Sequence, residues 1–78
     1  MPVTMWEVRA APGRLDELRN WVLTRVDETA QVYRSAGGEP RLVVIDPTGS
    51  AAHQLADVPG ELVARPAHAW DFESARNV

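Results

Sequence analysis

Residues 41–46 read RLVVID, a continuous apolar run bounded by a turn on one side and a proline on the other. A run this short is a strand rather than a helix, and it is apolar on both faces: Leu42 and Val44 point one way, Val43 and Ile45 the other. Upstream, GGEP (37–40) joins a flexible pair to a proline and makes a turn, and AQVYRSA (30–36) is a second strand, so 30–36 and 41–46 pair as a hairpin. Downstream, Pro47 closes the strand, Thr48 is placed to cap a short helix over 49–57, and Pro59 with Gly60 ends it.

Further out, VTMWEVRA (3–10) alternates as a strand, with Thr4, Trp6, Val8 and Ala10 on one side and Val3, Met5, Glu7 and Arg9 on the other. Pro12 and Gly13 break it. Leu15, Leu18, Val22 and Val26 then recur at three- and four-residue steps, with Trp21 and Thr29 on the same stripe, and this spacing predicts a helix over 13–28. Asp16 and Glu17 sit in its first turn, where negative charge suits the positive end of the helix dipole. At the far end, Leu62, Ala64, Pro66, His68, Trp70 and Phe72 alternate with Val63, Arg65, Ala67, Ala69, Asp71 and Glu73 as a last strand over 62–73. Pro66 cannot donate to a ladder, so that strand is bent there or lies at an edge.

The order β-α-β-β-α-β is the split pattern of the ferredoxin-like fold: one α+β domain over 1–78, with a four-stranded antiparallel sheet and both helices on one face. Two helices cover one face only. The other would leave Val3, Met5, Val43 and Ile45 in water, so the sheets are expected to pair in a homodimer or higher homo-oligomer. Small size argues the same way, because a chain of 78 residues hides only about 60% of its unfolded surface. There is no cysteine to supply disulfides or thiolate metal sites.

Composition narrows the partners. The chain is 45% apolar and 24% charged, with a formal net charge of −3 and scattered arginines, so no basic stripe faces a phosphate backbone. RLVVID also lacks the aromatic residues on which a sheet of this type stacks RNA bases. Nucleic acid is therefore not expected. No apolar run approaches the roughly 18 residues of a membrane span, and Glu7 and Arg9 come too early for a signal peptide. The expectation is a cytoplasmic protein without a membrane partner.

From TMWEVRA through the LDELRNWV helix to AHAWDFE, the chain resembles the dimeric α/β-barrel superfamily, small ferredoxin-like proteins that include antibiotic-biosynthesis-monooxygenase-type domains. The resemblance is one of pattern, without a matched catalytic signature. It implies sheets paired face to face across a dimer, and it admits a cofactor-independent, monooxygenase-like enzyme acting on a planar aromatic substrate.

Chemistry is best sought in RPAHAWDFE (65–73). His68, Trp70 and Phe72 lie on one side of a strand, about 7 Å apart, and could line a pocket wall. In the enzyme reading His68 is the base that forms the substrate anion, Trp70 and Trp6 are walls, and no flavin, haem or metal is required. Tyr33 could hydrogen-bond a ligand. The plainer reading places Trp70 and Phe72 in the core under the helices, with His68 at its rim. His53 and Asp57 have a spacing that could put two metal ligands on one helical face, but two ligands do not make a site and no metal is expected. Glu7 and Arg9 share a strand face as a possible ion pair. No nucleophile arrangement and no phosphate-gripping glycine loop is present. The sequence favours an oligomeric module, a small-ligand binder or accessory subunit, over the enzyme.

Overall fold

The computed structural model describes residues 2–76. Its elements are β1 (Val3–Arg9), α1 (Leu15–Leu23), β2 (Gln31–Arg34), β3 (Arg41–Asp46), α2 (Ala51–Gln54), a 3₁₀ turn (Gly60–Leu62) and β4 (His68–Phe72). The four strands form one antiparallel sheet in the order β2-β3-β1-β4. Among the described residues no helix is long and apolar enough to cross a membrane.

One face of this sheet is closed. Trp6, Val8, Leu42 and Val44 point to it and meet Leu18 and Val22 of α1 and Ala51 of α2, with Leu55 and Leu62 filling the same core. The α1 stripe packs as its spacing requires, except that Val26 and Thr29 lie beyond the helix, Val26 still packed against the core and Thr29 exposed. Thr4 and Asp46, both fully buried, sit on this face too. The Thr4 hydroxyl donates to Asp71 at 2.9 Å and so ties β1 to the edge strand β4.

The strand expected over 41–46 keeps its bounds, and the other elements are shorter than their sequence patterns, for local reasons. The expected helix 13–28 stops at Leu23 because the Thr24 hydroxyl bonds back to the Trp21 carbonyl at 2.6 Å and the chain leaves in a turn. Strand 30–36 pairs only over 31–34, with the Ser35 hydroxyl bridging the turn to the Glu39 carbonyl and the Arg41 amide. Helix 49–57 is a single turn, and Thr48 does not cap it. The Asp46 carboxylate does so from inside the core, accepting from the amides of Thr48 (2.9 Å) and Ser50 (3.1 Å) and from the Thr48 hydroxyl (2.7 Å). Burial alone would raise the Asp46 pKa, but the Thr48 hydroxyl and the amides of Thr48, Ser50 and Ala51 outweigh it and hold the carboxyl below its ordinary value.

The last strand departs most from expectation. Leu62 belongs to the 3₁₀ turn, Val63 makes a lone bridge to Ala10, and regular pairing with β1 starts only at His68. Between the Ala10–Val63 and Glu7–His68 pairs, β1 has two residues where the facing chain has four, 64–67. Pro66 falls inside this bulge, and β4 is an edge strand, as a strand-breaking proline demands.

Candidate functional site

Register decides where the expected site residues fall. Glu7 pairs with His68, Met5 with Trp70 and Val3 with Phe72, so these three β4 side chains share the face of Val3, Met5 and Glu7, opposite the helices. Gln31 and Tyr33 of β2, and Val43 and Ile45 of β3, complete that face. It is largely bare: Trp70 is 47% exposed, and Phe72 and Tyr33 are 52% exposed. The plainer reading of Trp70 and Phe72 as core residues is therefore corrected. The β4 side chains turned toward the helices are Ala69 and Asp71.

The open face joins His68, Trp70, Phe72 and Tyr33 but excludes Trp6, which is 3% exposed on the other side of the sheet. His68 is exposed and stacks on Trp70, with ring centroids 5.8 Å apart and planes within 20°. The wall drawn from the sequence, with His68, Trp70 and Trp6 around one ligand, is thus divided between two faces.

Toward one end of the open face Glu7 and His68 are paired neighbours, with Val43 and Tyr33 beyond them on β3 and β2. Glu7 does not pair with Arg9, which reaches Glu39 instead. The Glu7 side chain is 13% exposed, and its Oε2 is buried without a hydrogen bond, lying 3.6 Å from Arg65 and 4.0 Å from Arg41. Arg41 also bonds Glu39 at 3.0 Å. Three arginines and two glutamates at this end of the sheet thereby nearly cancel in charge.

On the helix side a second feature appears, a cleft of ≈ 580 Å³ between the sheet and the segment that follows α2. Trp6, Leu55, Val58, Ala69 and the 64–67 bulge are among the residues that line it. Ala52, Ala56, Gly60 and Val63 complete its lining. Of the lining residues only Arg65 is ionisable, and a guanidinium cannot serve as a base. His68, the expected base, does not line it.

His53 is exposed on α2, and Asp57 is engaged by Arg25 at 3.2 Å. Arg25 lies over the Trp21 ring at 4.8 Å, so this contact clasps the end of α1 to the chain beyond α2. Among the described residues no three His, Cys, Asp or Glu side chains gather as metal ligands would.

Sequence reasoning missed Arg65 and the cleft. The available signal was Pro66, whose lack of an amide donor marks a break where a neighbouring side chain is re-aimed. Fold and surface together define a small α+β domain with an antiparallel sheet, open on one face and clefted on the other. Neither a family model nor a curated protein matches the chain.

Proposed function

We propose that the chain is a self-associating module whose open sheet face packs against the same face of a second copy. The observation that carries this reading is the exposure of Trp70, Phe72 and Tyr33 beside Val3, Met5, Val43 and Ile45 on one unshielded sheet surface. Four strands at about 4.8 Å spacing make a patch roughly 19 Å wide, and an apolar area of that size is what buried contact surfaces present. The near balance of Arg9, Arg41 and Arg65 against Glu7 and Glu39 favours a like partner, since a nearly neutral face does not repel its own copy. A two-fold pair sets the same patch on both subunits and covers both apolar surfaces at once.

The strand order β2-β3-β1-β4 is compatible with the ferredoxin-like arrangement, and face-to-face pairing is what the resemblance to the dimeric α/β-barrel superfamily implies. The monooxygenase-like alternative needs a base beside a dry apolar cavity. His68 and the cleft lie on opposite sides of the sheet, which favours a binding or accessory role over catalysis.

Light scattering after size exclusion at micromolar concentration tests the proposal. The expected particle has at least twice the 8.6 kDa chain mass, and a clean 8.6 kDa species overturns it.

A further inference from the structure

We propose that His68 makes the pairing of open faces sensitive to acid: a neutral imidazole permits the pair and a protonated one loosens it. The inference rests on the reading of the open face as the contact with a second copy and adds its regulation. His68 is exposed on that face, and its ring stacks on Trp70 with centroids 5.8 Å apart and planes within 20°. A contact that covers Trp70 therefore takes the imidazole out of water with it. Histidine is the side chain whose charge ordinarily changes between about pH 5 and 8, and burial in an apolar contact disfavours its charged form.

The surrounding charges set the direction. β4 is an edge strand that pairs with β1 alone, and the charged groups of β1 on this face are Glu7, the register partner of His68, and Arg9. Arg65 precedes β4, Arg41 of β3 pairs with Arg9, and Tyr33 stands two strands beyond Glu7. Glu7 is the acid that would hold an imidazolium, but its Oε2 already lies 3.6 Å from Arg65 and 4.0 Å from Arg41. Glu39 is engaged in the same way by Arg9 and Arg41. Three arginines against two glutamates leave one positive charge at this end, and protonation of His68 makes it two. Each copy would then carry more positive charge into the contact, and like charges brought together cost affinity.

Burial and charge thus act in one direction. The paired state holds the imidazole proton less tightly than the single chain, so pairing releases protons. Its strength is complete above the range in which the free imidazole titrates and is lost as pH falls through that range. Of the two histidines in the chain only His68 is in place to do this, since His53 is exposed on α2, on the helix side of the sheet.

The test is sedimentation of the full chain across a concentration series at constant ionic strength. The expected result is association at about pH 7.5 that weakens about tenfold or more at about pH 5.5, a dependence absent in His68→Gln and retained in His53→Gln. Equal or tighter association of the parent in acid, or a dependence that survives in His68→Gln, would overturn the role of His68 and leave the paired faces standing. A single chain at both pH values would overturn the two together. Should His68→Gln not associate, the parent decides through the ring-proton shifts of His68. A titration midpoint lower at concentrations that pair the chain than in dilute solution supports the proposal, and an equal or higher midpoint overturns it.

Discussion

Trp6 and Trp70 stand on adjoining strands, one residue apart in register, yet Trp6 is 3% exposed and Trp70 47% exposed. They sample the two faces of one sheet. Both faces are apolar, and strand alternation built both. What separates them is cover: Trp6 packs in the core on the helix side, while among the described residues nothing closes over Trp70. An apolar side chain therefore contributes to folding on one face and stays exposed on the other. The same chemistry thus reports at different levels of structure.

Mutations should divide along that line. Trp6→Ala or Leu18→Ala should cost about 2–5 kcal/mol through lost burial and the cavity left behind. That is a large part of the roughly 4–12 kcal/mol that a domain of this length holds, so chemical denaturation should find either variant unfolded or barely folded. Melting curves unchanged from the parent would erase the distinction between the faces.

Trp70→Asp should do the reverse. It should weaken self-association about thirtyfold or more, as loss of a central aromatic anchor does, while the folded chain keeps its circular dichroism. Sedimentation across a concentration series reads the first effect and a spectrum the second. Collapse of the fold on this substitution would show that Trp70 is needed within a single chain.

Asp46→Asn probes the helix-covered side electrostatically and should cost about 1–3 kcal/mol at neutral pH, because the amide caps the α2 turn less well than the carboxylate. The folded-state pKa of Asp46 lies below its ordinary value of 3.8, so the unfolded chain binds the proton more readily. Its contribution is complete above that value and is lost as pH falls through the folded pKa. The gap between parent and variant should accordingly narrow below about pH 4. A gap that stays constant into acid would remove Asp46 as a charged cap.

Much of this was legible from sequence. Leu18 and Val22 marked the inner stripe of α1, RLVVID gave a strand apolar on both sides, and Thr4, Trp6 and Val8 fell together as predicted. Element ends were not legible, since single side chains fix them: Thr24 bonding Trp21 stops α1, and Asp46 reaching forward displaces Thr48 as the cap. The inward side of β4 was hidden for another reason. Alternation sorts residues into two sets without saying which set turns inward, and reading 62–73 as one strand tied Trp70 to the buried Leu62. The 3₁₀ turn and the bulge at 64–67 break that tie, and pairing with Glu7 sets the orientation instead. Arg65 went unnoticed because its position depends on the same bulge.

The central claim is that the open sheet face meets its own copy. It is tested most directly by mixing isotope-labelled and unlabelled chains and collecting only the nuclear Overhauser effects that pass between them. Contacts from the Met5 and Ile45 methyls of one chain to the Trp70 and Phe72 rings of the other are the predicted result. Inter-chain contacts confined to α1, or none at concentrations where the particle exceeds 8.6 kDa, would contradict it.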